Sequence, residues 1–491
     1  MATYDQVINL AVRRSIFYPA AEIYANSPAG FYDYGPYGVS IRKKLEQLWR
    51  KTFVQAEGFL EIDGSIILTE QIFKASGHLE NFNDPVTQCK KTGQFLRADK
   101  LLEDLGEQVN EGTPVEELTK LIRKHNLKSP AGGELSDVTK SSLMVQSIVG
   151  RGDMKTYMRP ETCQSIFADW PRIAKTMRVK LPCGVSQIGK AYRNEISPRQ
   201  TLMRQVEFIQ AETEIFFDPK EIDAIERWDE IKNYEIKVQF QKTNEIKSIT
   251  AGKLIADKKM SGKLIAYYLA RTQQLFERVG IPKEAMRFRQ VDDEERAFYA
   301  KEGWDFEVKT SIGWIELIAN NYRTDYDLNQ HAKISGQDMN FLREDGSKFI
   351  PHVWECSIGF DRTFYCLLEH AYREKENTPS LALPVSLVPL QAGIFPLLKN
   401  KPELVAKTKK VYELLKDCYE VQYDDAGSVG KRYARMDEIG VPVCITIDFD
   451  SLEKEDVTIR NRDTGEQKRI KISELKDVMF KLVTGTNFKQ I

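Results

Sequence analysis

Apolar and polar positions alternate at different periods along the chain, and the changes of period divide it. Residues 31–82 pass from FYDYGPYGVS into IRKKLEQLWRKTFVQAEG, apolar at helical spacing, and then into FLEIDGSIIL. This predicts loop, amphipathic helix and strand. Between 83 and 150 the segments ADKLLEDLGEQ and VEELTKLIRKH read as two short charged helices joined through Gly and Pro and followed by the polar turn SPAGGELSD, an inserted helical hairpin. Strand patterns return over about 155–217. A Lys-rich stretch, DAIERWDEIKNYEIKVQFQKT then GKLIAYYLARTQQLFERVG, predicts a second, helical insertion from 219 to about 281–300. Around 304–370 the order is strand, strand, helix. The longest uncharged run, Leu381 to Leu398, has the length of a membrane span, but Pro384, Pro389 and Pro396 break it, so it reads as a boundary leading into a buried strand. Beyond it helix, strand, helix and strand alternate as a compact α/β unit.

Composition narrows the class. The 491 residues, 42% hydrophobic and 29% charged, are those of a globular chain with room for about three domains of ~150 residues. Disorder, collagen and a disulfide scaffold are excluded. With 71 Lys+Arg against 72 Asp+Glu the net charge is −1, so any contact with nucleic acid has to be local. Seven scattered cysteines without a C-x-x-C pair, and an N-terminus without a leader pattern, point to a reducing, cytoplasmic setting and no membrane. The five histidines lack metal-ligand spacing. Lys259 to Lys263 (KMSGK) half-resembles a nucleotide loop of class I synthetases, but lacks its His-x-Gly-His partner and reads as an exposed turn.

Two segments carry chemistry. In 187–217, QIGKAYRNEISPRQTLMRQVEFIQAETEIFF, two strand-like runs flank the turn SPRQ. Alternation puts Arg193 and Glu195 on one face of the first arm, and Arg204, Phe208, Gln210, Glu212 and Glu214 on one face of the second. Guanidinium forks suit phosphate, an aromatic ring suits a base, and a carboxylate suits an ammonium. A solvated hairpin with cross-strand ion pairs fits the periodicity equally. In 350–372 Val353, Glu355 and Ser357 share a strand face before Gly359 opens a helix whose buried stripe is Phe360, Thr363, Phe364, Leu367 and Leu368. Arg362 stands off that stripe among first-turn N–H groups, where an anion is welcome. Glu355 in an apolar strand needs a partner, which a structural pair with Arg362 or the backbone would equally supply. Arg159-Pro160-Glu161-Thr162 ends a strand, and WIELIANNYRTDYDL places Glu316 in an apolar run with Arg323 after it.

These residues, with AGFYDYGPYG at 29–38, Ala75-Ser76-Gly77-His78, Arg193-Asn194-Glu195-Ile196-Ser197-Pro198-Arg199, Glu355-x-Ser357-x-Gly359-x-x-Arg362, and, near the C-terminus, Tyr423 to Tyr433 and Asp448-Phe449-Asp450, resemble the glycyl-tRNA synthetases of the archaeal and eukaryotic homodimeric type. The likeness runs through nearly the whole chain. It implies an α+β class II fold with an antiparallel catalytic sheet of six to seven strands flanked by helices over 1–380, insertions at about 83–150 and 219–300, and an α/β anticodon-binding domain over 381–491. It implies ATP-dependent ligation of glycine to tRNA(Gly) through a glycyl-adenylate, in a homodimer, with Mg²⁺ and without zinc. By the same resemblance Arg193 binds the α-phosphate and Arg362 the γ-phosphate, Phe208 stacks on adenine, and Arg204 and Glu195 hold the phosphates and the adenine edge. Glu316 organises Mg²⁺. Glu161, Glu212 and Glu355 surround the glycine ammonium, Arg323 meets the substrate carboxylate or adenylate, and Ser357 stands where a side chain would project.

The sequence departs from that pattern at three places. Ser65 to Glu70 lacks the usual motif 1 proline, Cys356 replaces the proline of Glu-Pro-Ser, and only Cys89 remains where some relatives carry paired cysteines, short of the four ligands of a structural zinc. Two other functions fit part of the pattern. A class II synthetase for another amino acid would not need three carboxylates, and a non-catalytic tRNA-binding paralogue would be expected to lack Arg193 or Arg362, both of which are present.

Overall fold

The computed structural model describes all residues except Met1, Asn110, Glu111, Gly152, Asp153, Ser197, Arg199, Glu344 and Asn377. Among the described residues the central feature is a sheet of nine strands: β1 (Leu60–Ile62), β2 (Cys183–Tyr192), β3 (Glu207–Phe217), β4 (Glu235–Gln239), β5 (Lys247–Thr250), β6 (Met286–Gln290), β7 (Glu302–Thr310), β8 (Gly313–Thr324) and β9 (His352–Gly359), in the order β5-β4-β6-β7-β8-β9-β3-β2-β1. It is wider than the six to seven strands expected and not wholly antiparallel, since β1 with β2 and β4 with β6 run parallel.

Alternation along β3 and β9 gives the sheet two different faces. Ile209, Ala211 and Ile215, with Trp354, Cys356 and Ile358, point into the principal core, joining Trp49 and Phe53 from and just beyond helix α1 (Pro36–Trp49). Cys356 is thus a buried core residue. Opposite residues, Phe208, Gln210 and Glu212 on β3 and Glu355 and Ser357 on β9, face a cavity. The ladder aligns them, with Glu212 opposite Ser357 and Glu214 opposite Glu355. At the far end of this face Phe216 stacks on Trp170 of helix α2 (Cys163–Thr176) with ring centroids 3.7 Å apart. That apolar clamp fixes α2, and the Glu161 that precedes it, against the sheet.

Two expectations are corrected. The first insertion contains the two helices, Ala98–Glu103 and Val115–Lys124, packed on each other, but the first also packs on a small antiparallel sheet of Phe95–Arg97, Asn83–Gln88 and Thr139–Ser142, so they do not form a hairpin alone. Asp84, Pro85 and Thr87 spoil the alternation that would have announced its central strand, and a buried Arg97–Asp84 ion pair at 2.7 Å ties it to its neighbour. The second stretch is not a helical module. Ile236 and Val238 of EIKVQ follow a strand period, so β4 and β5 extend the main sheet, while helix α3 (Lys263–Val279) buries Leu269, Leu275 and Phe276 in the principal core. KMSGK lies just before α3, with Met260 buried.

The C-terminal region forms its own five-stranded sheet of β10 (Ala392–Pro396), β11 (Val421–Tyr423), β12 (Val443–Ile447), β13 (Asp456–Asn461) and β14 (Gln467–Lys471), ordered β11-β10-β12-β13-β14. The proline-broken run ends in β10, buried along its length. No helix among the described residues is long and apolar enough to cross a membrane.

Candidate active site

The cavity, of about 180 Å³, lies over the centre of the main sheet. Its wall contains Glu161, Arg193, Glu195, Arg204, Phe208, Glu212, Glu316, Glu355, Ser357 and Arg362. Residues from the turn before α2, from β3, β8 and β9, and from helix α4 (Phe360–Ala371) therefore converge. The long connection between β2 and β3 carries Arg193, Glu195 and Arg204; Ser197 and Arg199 of its expected turn lie outside the described residues. Asp361, in the first turn of α4, accepts the Ile209 N–H at 2.6 Å and the Tyr34 hydroxyl, which locks the helix carrying Arg362 to β3.

One end of the cavity is acidic and highly bonded. Glu212 is buried and accepts from Thr162 Oγ1 at 2.7 Å, Ser357 Oγ at 2.9 Å and Gln210 Nε2 at 3.0 Å. Burial, and then the charges of Glu161 and Glu355, push its carboxyl up to about 8. Burial likewise raises Glu355, against the opposing pull of Arg323. Glu161 goes the other way: burial is outweighed by His78 and Arg323, which hold it well below the usual carboxylate range. Beneath them Glu214 is wholly buried with neither carboxylate oxygen hydrogen-bonded, and burial beside Glu355 drives its carboxyl well above the usual range.

The other end is cationic and open. Arg193 Nε donates to Pro160 O at 3.2 Å, and its guanidinium lies 5.3 Å from the ring centres of both Phe82 and Phe208. Arg204 stands 3.7 Å from Glu195. Arg362 donates from Nε to Met203 O and from Nη1 to Glu316 O, both at 3.1 Å, while its ion pair with Glu316 is a loose 3.8 Å. Side chains of Arg204 and Arg362 are each 37% exposed, so donors remain for an incoming anion.

Arg323 departs from its expected place. The β8–β9 register slips between Tyr322 and Thr324, and the guanidinium turns behind the cavity wall. There it forks onto Asp327 at 2.7 and 2.8 Å, donates to Glu355 Oε1 at 3.1 Å and lies 3.9 Å from the centre of the Tyr299 ring. Its donors serve Asp327 and Glu355. The alternative partner for Glu355 is also settled: it pairs with Arg323 and with Asn321 Nδ2 at 2.8 Å, not with Arg362.

Several working residues escaped the sequence reading. Asn321 orients Glu355 and Gln164 holds Glu161, while Gln210, which alternation places on the site face, bridges Glu212 and Ser357. Asn321 lies opposite Glu355 in the ladder, a signal available only once register is known. Asp305 is another. Burial and the nearby Glu316 push its carboxyl up to about 8, against the pull of Arg289, whose Nη2 donates to its Oδ2 at 2.7 Å. Such hard oxygen donors suit Mg²⁺, which takes one or two carboxylates and completes its shell with water and phosphate. Glu316 belongs to no closer group of three ligating side chains among the described residues.

Arginines opening onto a cleft, a buried acidic pocket at its other end, and a separate C-terminal α/β sheet are the parts of a class II aminoacyl-tRNA synthetase. Residues 148–371 match the tRNA synthetase class II core domain (G, H, P, S and T), and residues 391–482 match the anticodon binding domain. The chain is 38% identical to the glycine–tRNA ligase of Pyrococcus horikoshii over 98% of its length and 99% of that protein, and 36% identical to that of Methanocaldococcus jannaschii over 97% and 98%. It belongs to the glycine–tRNA ligase family.

Proposed function

We propose that this protein joins glycine to tRNA(Gly) in two steps, using ATP. The observation that carries the reading is the pocket of Glu161, Glu212 and Glu355 beside an arginine-lined opening, in a chain of this family. A glycine carboxylate oxygen attacks the α-phosphorus of ATP, the bond to the bridging oxygen breaks, and pyrophosphate leaves. A terminal hydroxyl of the tRNA then attacks the glycyl carbonyl and AMP departs. No protein nucleophile is required.

In this reading Arg193 steadies the α-phosphate as charge moves to pyrophosphate, Arg362 and Arg204 take the outer phosphates, Glu195 meets the adenine edge and Phe208 stacks on the base. Glu316, in the cavity wall, would hold Mg²⁺, which when bound would supply charge neutralisation for the polyphosphate. Glu161, Glu212 and Glu355 receive the ammonium, and Arg323 acts from behind by holding Glu355. Ser357, bonded to Gln210 and Glu212, occupies the space a side chain would need. Exclusion by clash discriminates more strongly than the ~1–3 kcal/mol available when a pocket must reject a smaller substrate, so no editing domain is called for.

The protein works as a cytoplasmic homodimer, with residues 1–380 catalytic and 381–491 binding the anticodon. The reading calls for no zinc: Cys89 Sγ meets Ser129 Oγ at 3.0 Å. Incubating purified protein with ATP, Mg²⁺, labelled glycine and total tRNA tests the function. Label esterified to tRNA(Gly) is expected; tRNA binding without esterified label would favour the non-catalytic reading.

A further inference from the structure

The stretch Ser76-Gly77-His78 lies just before the first insertion and has no part in the chemistry assigned so far. Gly77 has φ +76°, a conformation that side chains resist, and it begins the single helical turn His78–Asn81. His78 thereby points back across the chain to the pocket. Its Nε2 lies 3.3 Å from Glu161 Oε1, and its Nδ1 lies 2.7 Å from Ser76 Oγ. Phe73 and Phe82 pack edge-on against the imidazole at 6.1 and 5.4 Å, which holds the ring plane. Glu161 Oε1 also accepts from Gln164 Nε2 at 2.8 Å and Cys163 Sγ at 2.9 Å. The imidazole, at ion-pair distance, and these two donors all meet the same oxygen. Oε2 takes part in none of these bonds.

We propose that His78, steered by Ser76, is a positioning residue for amino-acid recognition: it grips Glu161 through one oxygen so that the other is presented to the glycine ammonium. This rests on the assignment of Glu161 to the ammonium pocket. With Ser76 Oγ beside Nδ1, Nε2 is the ring nitrogen turned to Glu161. Because Phe82 packs against both His78 and the Arg193 guanidinium, the same aromatic ring braces the amino-acid and phosphate ends.

Glycine-dependent ATP–pyrophosphate exchange in H78L, H78Q, S76A, E161Q and H78L/E161Q tests the proposal. Leucine and glutamine both fill the space between Phe73 and Phe82, but only glutamine can donate to Glu161. H78L is expected to raise the glycine KM about 10- to 30-fold, with the ATP KM and kcat within about twofold, and H78Q to recover most of the loss. In the E161Q background the H78L effect should nearly vanish, because the two act as one unit. S76A, which removes little packing, is expected to raise the glycine KM about threefold and keeps the test open should H78L not fold. An equal H78L effect in both backgrounds, an H78Q enzyme no better than H78L, or unchanged kinetics in S76A overturns the proposal. An unchanged glycine KM in E161Q would instead overturn the pocket assignment beneath it.

Discussion

The two ends of the cavity solve opposite problems. The acidic end is buried and crowded with donors: Glu212 accepts from three side chains and Glu355 from two. The cationic end is half open, and Arg204 and Arg362 make few contacts within the protein. Glycine offers only an ammonium and a carboxylate to recognise, so selectivity has to come from a rigid, preshaped pocket. A flexible polyphosphate brings its own charge and geometry, and arginines with unused donors can adapt to it. On the proposed assignment, the comparison teaches that amino-acid recognition is built in advance, whereas nucleotide recognition is completed by the ligand.

Substitutions at each end should therefore separate in different kinetic constants. The largest effect is expected from Arg362→Ala, a loss of about 10³-fold in adenylate formation measured by pyrophosphate exchange, with tRNA binding in a filter assay little changed. Retained exchange would break the division. Next, Glu212→Gln should raise the glycine KM about 100-fold while the ATP KM stays within about twofold, because it removes charge only from the closed end. Parallel changes in both constants would show that the ends are not independent.

A pH profile sharpens the contrast. The Glu212 carboxyl is pushed up to about 8, so below that pH the free pocket retains a proton that the ammonium must displace. Glycine keeps its ammonium across this range. Glycine affinity should therefore rise with pH, by at most about tenfold per unit, and level off above about 8. Isothermal titration in two buffers of different ionisation enthalpy should detect the released proton, and Glu212→Gln should flatten the profile. The smallest effect expected is at the open end, where Phe208→Leu should raise the ATP KM about fivefold and leave the glycine KM unchanged.

Much of this site was legible in the residues. Alternation along 207–217 and 352–359 correctly paired Phe208 with Glu212 and Glu355 with Ser357 on one sheet face, because a strand's period needs no tertiary information. What alternation could not supply was register and depth. Glu214 shares its strand face with Glu212 yet lies beneath the cavity wall, and a slip of one residue turns Arg323 to Asp327. The second stretch misread as helical shows the same limit, since Glu235 and Lys237 on one face of β4 masked a strand that only its neighbours complete. His78 sat in a motif whose likeness was visible, but its link to Glu161 crosses 83 residues of chain and needed coordinates.

The central claim is that one preshaped acidic pocket selects the amino acid before tRNA arrives. ATP–pyrophosphate exchange with purified protein and each of the twenty amino acids tests it most directly, because exchange reports activation alone. The account predicts exchange with glycine and none above background with alanine or serine. Comparable exchange with any larger amino acid would contradict it, leaving the phosphate end intact but removing the carboxylates from the role given to them here.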